Sequence, residues 1–204
     1  MGEEDIANLY QQISQRINRY KLSIITLKNI PKEEVCELFT RVNTKGEKLS
    51  TIDLITAYTY KDDFYLKSDE YLGKIFGDSK DLDRLDYSDL DETLFIRIIS
   101  MIVKGSCKES DLFELGVKDF KDNWNKGADA IKEAIQFLKK LNIDSSVILP
   151  YSPMIVSLSY FFYLIKEKRL SFTDELKQAI TKWFWVNSLG GNYKSSTNDK
   201  IKND

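Results

Sequence analysis

This chain of 204 residues has no histidine, two cysteines, three prolines and nine glycines. Each scarcity removes a class of chemistry. Without imidazole, these residues supply no Ser-His-Asp or Cys-His pair, no His-ligated zinc and no His-based nuclease. Cys36 and Cys107 are too few and too far apart for a metal knuckle. A single disulfide is uncharacteristic of a chain with no secretory leader, so a reducing cytoplasm is the expected setting. No Gly-x-Gly-x-x-Gly or Walker-type loop is present. No apolar run reaches the roughly 20 residues of a membrane-spanning helix. The longest, Met154 to Ile165, contains Ser157 and Ser159 and reads as a buried helix with no membrane contact. Excess charge is lacking too: 30 basic against 32 acidic residues leave a net −2, so no global basic field advertises nucleic acid.

What is present suits a packed core. The chain is 42% hydrophobic and 12% aromatic, which argues against disorder and for a single helical domain. Ile6, Leu9, Tyr10, Ile13 and Ile17 recur at helical spacing between Glu3 and Tyr20 and predict an amphipathic opening helix. Leu22 to Leu27 is apolar and β-branched, the one convincing strand, and a lone strand needs a partner edge. Part of Phe64 to Phe76 is expected to be helical. Thr93 to Val103 carries Leu94, Phe95, Ile98, Ile99, Ile102 and Val103 on a wide core face. Lys118 to Leu141 reads as one long helix through Trp124, Ala128, Ile131, Ile135 and Leu138, with Gly127 as a local weak point. Met154 to Lys166 and Thr173 to Val186 complete the set, and Gly190-Gly191 ends regular structure. Cys36 reads as a small buried hydrophobe.

Charge is uneven along the chain. Between Asp62 and Glu92 eleven acids stand against four bases, a face that repels DNA. Asp81, Asp83 and Asp86 suggest a calcium loop only superficially, because the central glycine and closing glutamate of an EF-hand are absent, and a solvated acidic link fits better. Glu175-Leu176-Lys177 matches half of a metal-nuclease pattern but falls on a predicted surface helix. Arg16, Arg19, Lys21, Arg41, Lys45 and Lys48 form the positive counterpart, where any nucleotide or nucleic-acid contact belongs first.

Most informative is the run from Phe39 to Leu54. A helix begins behind Pro31 and carries Val35, Leu38, Phe39 and Val42. It gives way to the polar turn Asn43-Thr44-Lys45-Gly46-Glu47-Lys48. Ser50 followed by Asp53 then marks the start of a helix through Ile52, Leu54, Ile55 and Tyr58. Free amides at that start, a flexible Gly46 and the charges of Arg41, Lys45 and Lys48 suit a phosphate-sized anion. The same residues equally describe an ordinary capped turn.

These residues resemble a segment of the GmrSD-type restriction protein family, in its domain related to the ParB/sulfiredoxin-like fold. There, a helix ending Phe-x-Arg-x-Asn runs through a glycine-bearing turn into Leu-Ser-x-x-Asp-Leu. Phe39, Arg41, Asn43, Gly46, Leu49, Ser50, Asp53 and Leu54 occupy those places. Leu149-Pro150-Tyr151-Ser152-Pro153-Met154 resembles a later element of the family. Trp183-Phe184-Trp185 with Asn192-Tyr193-Lys194-Ser195-Ser196 resembles its closing Trp-rich helix and Tyr-Ser turn. The likeness spans about Leu22 to Asp204.

The family's Asp-Gly-Gln-Gln-Arg motif, associated with nucleotide hydrolysis, does not occur in these residues, nor does its His-Me nuclease. The resemblance therefore implies a mainly α, helical bundle-like domain with one short β-strand near the N-terminus left over from an αβ subdomain. Residues 1–60 would form the junction with the αβ half and 61–204 the helical layer. It implies an upstream αβ segment as partner, DNA and a nuclease domain or subunit as further partners, and an NTP and a divalent metal in the full-length protein, with no cofactor and no catalytic residue in this chain. In that reading Arg41 and Lys45 supply charge, while Asn43 orients the turn or contacts a ligand beside Thr44. Gly46 allows close backbone approach, Ser50 caps, Asp53 supports Arg41 or the cap, and Tyr193 and Ser195 help close the helical layer over a nucleotide or DNA. Trp183, Trp185 and Tyr193 are aromatic enough to stack a base, while Trp183 and Phe184 with Ile180 and Ala179 equally read as the inner face of the last helix. The alternative function is a non-catalytic helical interaction module whose strand is completed by a partner chain.

Overall fold

Start signals and buried faces recur along the chain, and helices form where the two coincide. The computed structural model describes residues 3–20, 34, 50–61, 63–76, 78 and 80–190. Among them are eight α-helices: α1 (Glu3–Asn18), α2 (Thr51–Thr59), α3 (Leu72–Phe76), α4 (Glu92–Lys104), α5 (Glu109–Phe113), α6 (Val117–Lys140), α7 (Met154–Lys166) and α8 (Asp174–Gly190). Short 3-10 turns at Asp83–Leu85 and Ser146–Ile148 break the longer connections. The described residues are thus mainly α and bundle-like, and their one β feature is an isolated antiparallel bridge between Lys61 and Phe64. The strand expected at Leu22 to Leu27 lies outside the described residues.

α4 shows how local signals set the ends of an element. The Asp91 side chain accepts the Thr93 N–H at 2.7 Å, satisfying a donor that the helix start leaves open. Gly105, at φ +67°, closes the other end with its N–H on the Met101 carbonyl. Between these caps Leu94, Phe95, Ile96, Ile98, Ile99, Ser100 and Met101 are all buried. The periodicity had predicted a one-sided core face reaching Val103. Instead Ile96 and Met101 are also enclosed and Val103 lies at the surface, because α4 is covered from several directions: α6 and α7 pack against it and each other, and α2 and α5 add to its flanks.

The α4–α6 contact is close. A Cβ added at Gly127 would stand 2.6 Å from Ile99 Cδ1 and 3.2 Å from Phe95 Cζ. The glycine that weakens α6 as an isolated helix therefore lets two helices approach. Beside it, Trp124 packs against Phe95 at 4.7 Å and edge-on to Tyr71 at 5.0 Å, and Phe64 stacks on Phe120 at 5.9 Å. This aromatic cluster ties the α2–α3 connection to α4 and α6.

The acidic link is held against α6. Lys121, Lys132 and Lys139 on that helix pair with Asp63 at 2.6 Å, Asp81 at 2.7 Å and Asp86 at 3.4 Å. Each exposed pair contributes little alone, but together they fix which side of α6 the link follows. Tyr87 plunges from the link into the core, fully buried, and donates to the Ile143 carbonyl at 2.6 Å.

α7 buries every residue from Met154 to Ser159, as expected of the long apolar run. No helix among the described residues is long and apolar enough to cross a membrane. On α8, Phe184 is buried and Ile180 and Trp183 pack against the core, whereas Ala179, assigned above to the inner face, is exposed. Trp185 is exposed as well.

Candidate functional site

The corner begins where α2 begins. Ser50, extended at φ −76° and ψ 161°, accepts the Asp53 N–H through its hydroxyl at 3.3 Å. Asp53 Oδ2 reaches back to accept the Ser50 N–H at 3.1 Å and the Ser50 Oγ–H at 2.6 Å. Both bonds of the capping box are formed. The other carboxylate oxygen, Oδ1, takes Lys67 Nζ at 2.6 Å. The Lys67 hydrogen bond, and after it the two bonds from Ser50, hold the Asp53 carboxyl well below its ordinary value, at about 2.

Ser50 and Asp53 are therefore brought together as the spacing predicts. Asp53 supports the cap, and its other partner is Lys67. Arg41, Asn43, Thr44, Lys45, Gly46, Tyr193 and Ser195 lie outside the described residues, as does Cys36. Three neighbours of the corner were not read from the sequence. Lys67 comes from 14 positions away. Thr51 Oγ1 donates to Glu109 Oε1 at 3.3 Å from the start of α5. Glu92, half-buried at the start of α4, feels both Lys67 and Asp53, and burial pushes its carboxyl up. No local pattern signals any of the three, since each is a tertiary neighbour.

The electrostatics of this part of the corner follow from those identities. Asp53, Asp91, Glu92 and Glu109 outnumber Lys67, and the Ser50 N–H that would face a bound anion already faces a carboxylate. Lys67 is itself paired with Asp53, and Arg41, Lys45 and Lys48 lie outside the described residues. Among the described residues no three carboxylate or thiol groups converge as metal ligands. The described side of the corner therefore does not fit the divalent metal that the resemblance implies, and no chemical step is derived through one.

The second resembling segment lines a shallow cleft of about 400 Å³ between Asp89-Leu90 and residues 146–153. Its wall is tied down where Ser146 N–H donates to the Asp86 carbonyl at 3.0 Å. Leu149 and Met154 are buried beneath it, leaving Pro150 and Ser152 at the surface. Cys107, also buried, has its thiol pushed up by burial, the wrong direction for a nucleophile.

No family model matches the chain and no solved structure matches it. The chain is similar to an uncharacterized protein of Methanocaldococcus jannaschii, 26% identical over 187 residues. That alignment covers 86% of this chain and 30% of the archaeal protein, so the chain spans under a third of the relative's length.

Proposed function

We propose that this chain is the rear, helical portion of a GmrSD-like defence protein, contributing to nucleotide-coupled recognition of modified DNA and catalytically incomplete alone. The observation that carries the reading is the Ser50–Asp53 capping box. It starts a helix at the Leu-Ser-x-x-Asp-Leu part of the resembling motif, directly after the run that holds Arg41 and Lys45. The order of the three resembling segments supports it, and so does a relative of which the matched region is only 30%. The nucleotide and a divalent metal belong, in this reading, to the complete protein. The αβ segment bearing Asp-Gly-Gln-Gln-Arg, DNA and a nuclease domain or subunit are its partners, in the cytoplasm.

Co-expression with such an αβ segment tests the proposal. A soluble complex that binds nucleotide is expected, and Arg41→Ala should weaken that binding while leaving the Tm nearly unchanged. A large loss of Tm with normal binding would make Arg41 a structural residue and remove the proposed site.

A second reading is a non-catalytic helical interaction module whose strand at Leu22 to Leu27 is completed by a partner chain. What favours it is apolar surface left at the end of α8, where Val186 is 54% and Leu189 83% exposed. Nucleotide binding by the co-expressed complex separates the two readings, since the module requires none.

A further inference from the structure

Every residue that lines the cleft between Asp89-Leu90 and residues 146–153 lies in the described part of the chain. Its floor is apolar, with Leu90 and Leu149 only 5% and 7% exposed. Its two walls are fastened to each other behind that floor. Ser146 N–H donates to the Asp86 carbonyl at 3.0 Å, and Tyr87 donates to the Ile143 carbonyl at 2.6 Å. The cleft is therefore preformed, and an occupant need not order it.

Two properties of the rim select that occupant. The first is a surplus of acceptors. The stretches that supply the walls, residues 86–92 and 141–153, contain five acids and no base. Asp86 is partly answered by Lys139 at 3.4 Å, Asp91 caps α4, and Glu92 is half-buried within reach of Lys67. That leaves Asp89, exposed in the cleft wall, and Asp144, exposed two residues before Ser146 and close enough to act on the Tyr87 hydroxyl. Pro150 and Pro153 add carbonyls to the other wall without adding an N–H. The second property is apolar surface: Val147 is 80% exposed and Tyr151 half-buried, and both line the cleft.

We propose that the cleft receives an extended, arginine-bearing segment of a partner protein. A guanidinium fits better than an ammonium, because its planar fork takes a carboxylate such as Asp89 while its faces tolerate the apolar and aromatic surface beside it. An apolar neighbour on the segment covers Val147, and an extended backbone keeps its N–H groups free for the wall carbonyls. Nucleic acid, an acidic protein or an anionic lipid surface is repelled by the same carboxylates. A cleft of about 400 Å³ holds only a few residues, so the contact is weak, with a Kd on the order of hundreds of micromolar. It needs neither nucleotide nor DNA and stands apart from the function proposed above.

Amide NMR of the whole chain tests the proposal, with three titrants: the blocked peptide Pro-Leu-Arg-Arg-Pro, its counterpart Pro-Leu-Glu-Glu-Pro, and argininamide. The arginine peptide is expected to shift amides within residues 86–92 and 144–152 and few others, less strongly as salt is added. The glutamate peptide should shift none, and argininamide should bind at least about tenfold more weakly, since it lacks the apolar and backbone contacts. Asp89→Lys should weaken the arginine peptide by about tenfold or more. Asp122→Lys makes the same change of charge on an exposed residue of α6, about 25 Å along the helix from Lys139, and should leave the affinity unchanged. Absence of shifts at millimolar peptide, shifts scattered over the acidic surface, argininamide binding as tightly as the peptide, or equal losses in the two variants would each overturn the proposal.

Discussion

Asp53 joins two separate parts of the chain through two oxygens. Oδ2 closes the capping box with Ser50, and Oδ1 pins Lys67 from the α2–α3 connection. The first bond was legible, because Ser-x-x-Asp is a local signal and both partners sit within one turn. The second was not, because nothing in the spacing of residues 53 and 67 says that the chain doubles back there. The folded-state value of Asp53, about 2, lies below the ordinary 3.8. The stabilisation is therefore fully present above about pH 4 and fades as pH falls through 2. For a partly exposed pair it amounts to at most about 1 kcal/mol. Asp53→Asn should lower the Tm modestly at pH 7, with the gap to the native chain closing between pH 4 and pH 2. A gap constant over that range would mean that the carboxylate charge contributes nothing.

At the scale of elements, readability followed length and one-sidedness. α6 and α7 were expected at nearly their observed bounds, since 24 and 13 residues give the apolar rhythm room to repeat. α5, with five residues, is too short to show a period and was not foreseen. α4 was recognised as a helix, but its enclosure at Ile96 and Met101 depends on how many neighbours surround it, which periodicity does not report. Gly127 is the instructive case. Propensity marks it as a weakness, while packing makes it the point of closest approach to Ile99 and Phe95. Gly127→Val should destabilise the chain by about 1–3 kcal/mol in urea unfolding, through overpacking of a core with little room to move. A gain in stability would show that α4 and α6 are more loosely packed than described.

At the scale of the whole molecule, helices α2 to α8 share one core, built on α4, α6 and α7, which binds acidic residues of the connections between α2 and α4 through three lysines of α6. The corner at α2 is different in kind. Its described groups are already matched to one another, with Ser50, Asp53 and Lys67 engaged and a surplus of negative charge around them. Arg41, Lys45 and Lys48, to which the proposal assigns the cationic ligand-holding capacity, lie outside the described residues. In the proposed reading a front half carrying the nucleotide motif completes the site. The cap at Ser50 and Asp53 was legible in the sequence, whereas the negative lining of the corner was not, since Glu92 and Glu109 reach it only through the fold.

The most direct measurement is nucleotide hydrolysis by the purified 204-residue chain, assayed with ATP and GTP in the presence of magnesium. The account predicts no turnover by the chain alone and at most weak nucleotide binding. Turnover that disappears in Arg41→Ala would contradict it, by showing that these residues hold a complete catalytic site.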